Sequence, residues 1–142
     1  MQINEVLTPD PQSIGPDATL TQAAQMMRSL GVGMLPVCAN GRLMGTITDH
    51  DIVVRALAAG VKPDNTAVRQ TMTREAAYCF DDEDVMEAAL LMKHRQTRSL
   101  PVINRDQQLV GVVTLDDLTR TGPSRKSGRR TLSEHLQAGL MI

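Results

Sequence analysis

The residues best suited to chemistry come as two matching heptapeptides, Gly45-Thr46-Ile47-Thr48-Asp49-His50-Asp51 and Gly111-Val112-Val113-Thr114-Leu115-Asp116-Asp117. Each reads Gly-x-x-Thr-x-x-Asp where an apolar, strand-like run gives way to a helical one. Two kinds of chemistry fit that pattern. Thr48 and Thr114 can cap a helix, with Asp51 and Asp117 three residues on completing a variant of the capping box. An acid in the first turn also suits the helix dipole. The same geometry can instead hold a ligand. Free N–H groups at a helix start attract phosphate, and a threonine hydroxyl there can donate to it. A carboxylate one turn on presents two oxygens to the paired 2′ and 3′ hydroxyls of ribose. Residue types alone leave both open.

Other candidates carry less. Arg55 stands four residues after Asp51 and reads as its ion-pair partner on one helix face. The acidic run Asp81-Asp82-Glu83-Asp84 has the oxygen chemistry that Mg²⁺ favours, yet a solvated turn and helix start explain it better. His50, His94 and His135 show no metal or triad spacing and are expected at the surface. Cys38 and Cys79 lie in apolar runs and are expected as reduced packing residues. No nucleophile stands beside a base, so an enzyme has no residues to work with, and neither a catalytic site, a metal nor a required cofactor is expected.

The elements that position the heptapeptides are duplicated. A shift of 65 residues aligns Thr8 with Thr73, Asp17 with Asp82, Ala23-Ala24 with Ala88-Ala89, Met27 with Met92 and Leu35-Pro36-Val37 with Leu100-Pro101-Val102. After one extra loop residue the shift is 66, and Gly45, Thr48 and Asp51 meet Gly111, Thr114 and Asp117. Each unit predicts a short strand (Ser13-Ile14, Tyr78–Phe80) and a helix starting near Thr19 or Asp84, both capping residue types. Leu20, Ala23, Ala24 and Met27 give that helix one apolar face, as do Val85, Ala88, Ala89 and Met92. Gly31 and Gly33 end the first of them. Two strands follow, Met34–Cys38 and Leu43–Thr48 around an Asn40-Gly41 turn, with counterparts Leu100–Ile103 and Leu109–Leu115. A second helix runs from Asp49 to about Ala59, and its counterpart starts at Asp116. The unit is β-α-β-β-α, and residues 60–68 read as the link between copies.

Composition narrows the partners. Of 142 residues 42% are apolar, enough for an interior, but Tyr78 and Phe80 are the only Tyr, Phe or Trp side chains and nine methionines must help fill the core. A base-stacking nucleic-acid surface needs aromatic platforms that are missing here. Met1–Asp10 lacks the basic start and apolar stretch of a signal peptide, and no apolar run approaches the ~20 residues of a membrane span. A cytoplasmic protein without membrane contact is expected. The charge is uneven: the last 24 residues carry Arg120, Arg125, Lys126, Arg129 and Arg130 against Glu134 alone, while the remainder is acidic. Gly122 to Gly128 has linker composition, and Leu132, Leu136 and Leu140 could share one face of a short helix.

The two Gly-x-x-Thr-x-x-Asp junctions, each preceded by a Leu-Pro-Val strand, resemble the nucleotide-binding signature of cystathionine β-synthase (CBS) domains across about residues 3–120. The resemblance implies an α/β (α+β) fold of two tandem β-α-β-β-α CBS repeats, 1–60 and 61–121, packed about a pseudo-twofold axis that leaves two clefts, with a basic tail at 122–142. It implies that Asp51 and Asp117 hold ribose and that Thr48 and Thr114 reach phosphate. Ile14, Pro36, Val37, Cys79, Pro101 and Val102 would enclose adenine. Arg98, just before the second Leu-Pro-Val, would meet phosphate, but the first repeat has Gly33-Met34 there, so the two sites are expected to differ. The implied protein is a free-standing regulatory module and homodimer. Its ligand would be AMP, ADP or ATP, with S-adenosylmethionine or NAD also possible, and it would act on an unknown regulated protein. The alternative is a nucleic-acid-associated or protein-interaction factor that uses the CBS body as a dimerisation scaffold and the basic tail for contact.

Overall fold

The computed structural model describes residues 1–120; the basic tail and the expected Leu132–Leu140 helix lie outside the described residues. In chain order the regular elements are β1 (Thr8–Pro9), α1 (Leu20–Leu30), β2 (Met34–Ala39), β3 (Arg42–Thr48), a π-helix (Asp51–Leu57), β4 (Cys79–Phe80), α2 (Val85–Arg95), β5 (Ser99–Ile103), β6 (Leu109–Thr114) and α3 (Leu115–Arg120). The helices begin where capping chemistry places them. Thr19 Oγ1 accepts the Gln22 N–H at 3.1 Å, and Gln22 Oε1 accepts the Thr19 N–H at 2.9 Å, a closed capping box. Asp84 starts α2 by accepting the Met86 N–H at 2.8 Å. Gly31 ends α1 in the left-handed conformation, φ 68°. Gln96 takes the same role after α2 at φ 55°, without glycine's steric freedom.

The hairpin turns as its sequence predicts, with Asn40 and Gly41 both at positive φ, the requirement of a type I′ turn. Both hairpins carry an irregularity at the same repeat position, Val37/Cys38 and Val102/Ile103. The leading strands are shorter than expected. Ser13-Ile14 reduces to a single parallel bridge between Ile14 and Val37, because Gly15 and Pro16 follow at once and proline has no N–H to extend a ladder. The first of the second helices is narrower in extent and wound differently: the Ala58 N–H bonds the Val53 carbonyl five residues back, at 3.0 Å.

The compact units cut across the sequence repeats. One is Gln12–Ala76, here the central unit; the other, the terminal unit, joins Met1–Pro11 to the chain from Ala77 onward. Burial of one apolar residue explains each exchange. In the terminal unit Ile3 is fully buried with Val85, Ala88, Met92 and Leu100. Its N–H bonds the Glu83 carbonyl at 2.8 Å, and the Val85 N–H bonds that of Met1 at 3.0 Å. β1 then pairs antiparallel to β6, giving a sheet ordered β1-β6-β5-β4. In the central unit Val68 does the same work, buried with Leu20, Ala23, Leu35 and Ile47 and bonded to the Ala18 carbonyl at 2.7 Å. Thr73 bridges Thr46 of β3 through both N–H···O bonds, 3.0 and 2.8 Å. No aromatic ring enters either core; Met27, Met72 and Met92 fill the irregular space.

The crossing of these leading segments explains the glycine of each motif. A Cβ on Gly45 would overlap the Thr73 carbonyl oxygen and come within 3.1 Å of Arg74 Cα; one on Gly111 would lie 2.7 Å from Leu7 Cδ1 and 2.8 Å from the Thr8 carbonyl oxygen. Gly45→Ala is therefore expected to destabilise the protein by about 2 kcal/mol or more, the cost of overpacking against backbone. Gly15→Ala, with nothing within 4 Å of its Cβ, is expected to stay within about 1 kcal/mol of neutral. Denaturant melts of the two variants check the pair, and equal stabilities would contradict it.

Candidate functional site

At each strand-to-helix junction the threonine and aspartate are locked together. The Asp51 N–H donates to Thr48 Oγ1 at 3.0 Å, and the Thr48 N–H donates to Asp51 Oδ2 at 3.0 Å. Asp117 and Thr114 repeat the arrangement at 3.1 and 2.9 Å. Both are reciprocal capping boxes, with an aspartate where glutamate or glutamine is usual. Both acids are nearly inaccessible, with Asp51 6% and Asp117 4% exposed. In the central unit Asp51 also gathers side chains from outside its turn. Thr73 Oγ1 donates across both carboxylate oxygens at 3.3 and 3.4 Å, and Arg55 Nη1 lies 3.8 Å from Oδ1, the ion pair that the four-residue spacing predicts. Thr73 escaped the sequence reading as a site residue. The repeat alignment matched it to Thr8 but could not say that its strand crosses beside Asp51.

The remaining expected site residues fall into two groups per unit. In the central unit Ile14 stands beside Pro36 and Val37: the Ile14 N–H bonds the Pro36 carbonyl, and the Cys38 N–H bonds that of Ile14, both at 3.0 Å. β2 and β3 put Met34 opposite Thr48 and Pro36 opposite Thr46, so this wall and the Thr48–Asp51 box share one small sheet. In the terminal unit Cys79 pairs with Val102, and its Sγ sits 3.9 Å from the Pro101 carbonyl oxygen. Ile14, Val37, Cys79 and Val102 belong to the two cores. Arg98 is exposed just ahead of β5, and its carbonyl accepts the Leu115 N–H at 2.8 Å, tying the strand entry to the start of α3. Gly33 does the same with Asp49 at 3.0 Å. The two junctions are thus alike in backbone and unlike in charge: Gly33 faces an acid where Arg98 faces leucine.

The other titratable groups are occupied locally. Burial, with the Glu83 charge adding to it, pushes the Cys79 thiol up to about 12, and burial also raises Cys38 against a hydrogen bond with Ser13. The Arg105 guanidinium holds Asp82 below the usual carboxylate range through bonds of 2.8 and 3.0 Å, and it stacks 3.9 Å over the Phe80 ring. Glu83 accepts the Phe80 N–H at 2.9 Å and Asp84 caps α2, so the acidic run builds a turn and a helix start. His50 and His94 are exposed, as expected, and His135 lies outside the described residues. Among the described residues no three His, Cys, Asp or Glu side chains come together as a metal site, and no helix is long and apolar enough to cross a membrane.

This geometry is shared with known proteins. The model of the CBS domain matches residues 3–57 and 68–123. Over 112 residues, 78% of this chain and 77% of the other, the sequence is 42% identical to hypoxic response protein 1 of Mycobacterium tuberculosis. The crystal structure of Hypoxic Response Protein I with two coordinated zinc ions matches with a TM-score of 0.80 at 34% identity, covering 87% of this chain and 100% of that one. The CBS domain pair of protein MJ0100, in complex with 5′-methylthioadenosine and S-adenosyl-L-methionine, matches with a TM-score of 0.73 at 26% identity over 84% of this chain and 94% of that one. Duplicated Thr–Asp boxes, a mixed α/β fold and two tandem domain matches over most of the sequence place the chain in the CBS domain family, as a CBS pair.

Proposed function

We propose that the chain is a regulatory module that binds adenosine-containing ligands at its two strand-to-helix junctions and has no catalytic step of its own. One observation carries the reading: a nearly inaccessible carboxylate recurs at the same point of both units. Capping the Thr48 or Thr114 N–H needs a single acceptor oxygen, which a neutral asparagine or glutamine also supplies. Withdrawing a charge from water is costly unless it gains partners. A carboxylate retained twice under that cost fits a second task, and accepting both ribose hydroxyls is one that needs its negative charge. The adenosyl ligands held by the CBS pair of MJ0100 support the same class of ligand here. On this reading Asp51 and Asp117 hold ribose and Thr48 and Thr114 reach phosphate. Ile14, Pro36 and Val37 in one unit, and Cys79, Pro101 and Val102 in the other, form the adenine walls. Arg98 adds a guanidinium for AMP, ADP or ATP, while S-adenosylmethionine and NAD share the adenosine end.

Asparagine separates the two tasks of the aspartates. Asp51→Asn and Asp117→Asn keep an acceptor for the cap and are expected to cost about 1 kcal/mol of stability or less. Each is expected to weaken nucleotide binding at its site roughly tenfold or more, the loss of a charged hydrogen bond. In the same calorimetric series Arg98→Ala is expected to lower AMP affinity and leave adenosine affinity nearly unchanged, because adenosine offers a guanidinium nothing to grip. Folded Asp→Asn variants with unchanged affinity would reduce the motif to a helix cap.

The same module is proposed to act as a homodimer on a separate regulated protein. In the central unit Leu30, Val32, Val53 and Leu57 are each between 43% and 55% exposed, and Val32, Val53 and Leu57 line an open groove of about 630 Å³ between α1 and the π-helix. Contiguous apolar surface of this kind marks an interaction site, and a second copy supplies a matching face by symmetry. Light scattering at micromolar concentration is expected to give twice the 15.5 kDa chain mass. A single-chain mass throughout would contradict the dimer.

A further inference from the structure

Asp51 has a neighbour that the sequence does not provide to Asp117: Arg55 stands four residues on, where the other copy has Thr121. Arg55 Nη1 lies 3.8 Å from Asp51 Oδ1 and 3.4 Å from both Thr73 Oγ1 and the Met72 carbonyl oxygen. All three separations exceed the ~2.9–3.0 Å that an N–H···O bond prefers. All three use one nitrogen of a group with five donors, and the side chain is 51% exposed. A guanidinium serving as a structural clamp sits forked on its carboxylate through two parallel bonds. Arg55 instead rests beside Asp51 with most of its donors directed elsewhere.

The strand entry of the central unit, by contrast, supplies no cation and leaves no space for one. A Cβ on Gly33 would lie 2.9 Å from Asp49 Oδ2, so a side chain there must displace an acid. The terminal unit carries Arg98 and Leu115 at those two places. Each unit therefore has one arginine tied to its junction, from the strand entry in one and from the helix in the other.

We propose that Arg55 is the anion-recognising residue of the central-unit site, turning from Asp51 to the phosphate of a nucleotide as the ribose takes its place on the carboxylate. The inference rests on the ribose reading of Asp51. Thr73 is the positioning residue: its hydroxyl keeps Asp51 Oδ1 hydrogen-bonded when Arg55 leaves. Ribose hydroxyls and Arg55 compete for Oδ1, so a nucleoside displaces the guanidinium without offering it a new partner. A nucleotide offers it a better one. The central site then selects phosphorylated adenosine, and it does so through a residue absent from the equivalent position of the terminal unit.

Calorimetry with AMP and adenosine tests this in the full chain carrying Asp117→Asn, which weakens the terminal-unit site so that the central one dominates the heat. Arg55→Ala is expected to lower AMP affinity about tenfold and to leave adenosine affinity within twofold. Arg55→Lys is expected to recover part of the AMP affinity, since it keeps the charge and loses the fork. Equal losses for AMP and adenosine would mean that Arg55 only holds Asp51 in place, and unchanged AMP affinity in Arg55→Ala would mean that it does not meet phosphate; either result overturns the inference. If the chain with native Arg55 binds neither probe, the ribose reading itself fails, and this inference fails with it.

Discussion

The fold turns on a hydrogen-bonded exchange between one threonine and one aspartate. Thr48 and Asp51 each donate a backbone N–H to the other's side chain, and Thr114 and Asp117 repeat the exchange. It fixes the angle at which the strand leaves the sheet and enters the helix, and it buries a charge at the bend. Everything nearby accommodates that bend. Glycine three residues before the threonine admits a crossing segment, and the strand beside it carries the Leu-Pro-Val run. The residue two before that leucine bonds its carbonyl to the amide just past the threonine. A cap that costs a buried carboxylate is more than helix geometry requires, which is why the same two residues serve as the centre of the functional proposal.

Duplication supplies two such bends, and the chain binds each with the leading segment of the other copy. Ile3 completes the terminal core and Val68 the central one. Either segment alone has a short apolar stretch with no face to bury it. The arrangement makes the leading segments structural and places a residue from each repeat start beside a junction. Thr73 reaches Asp51 only for this reason.

Much of this was legible in the sequence. The duplication, the caps at Thr19 and Asp84, the type I′ turn at Asn40-Gly41 and the Thr–Asp box all follow from residue types at fixed spacing. These are local interactions, decided within a few residues of the chain. What escaped is long-range. β1 and the Thr46–Thr73 bridge join segments far apart in sequence, and a two-residue strand has no periodicity to read. The glycine of the motif was visible, but its purpose was not, because the atom it avoids belongs to Thr73. The π-helical winding of Asp51–Leu57 likewise has no signature in its residue types. Arg55 was placed correctly as an ion-pair neighbour of Asp51; its loose, one-nitrogen geometry emerges only from coordinates.

The asymmetry between the units has a simple chemical form. Around a shared backbone, one junction pairs Gly33 with Asp49 and draws Arg55 from its helix; the other pairs Arg98 with Leu115. Two sites of equal ribose chemistry and different charge suit a module that reports how highly phosphorylated its ligand is. The central claim is that the carboxylate closing each cap is also the carboxylate that holds ribose. Amide NMR reads it directly, because the Thr48 and Thr114 N–H groups donate to those carboxylates. Titration with AMP is predicted to shift both resonances saturably, each following the occupancy of its own site. AMP binding that saturates while the Thr48 and Thr114 amides stay unmoved would contradict the account.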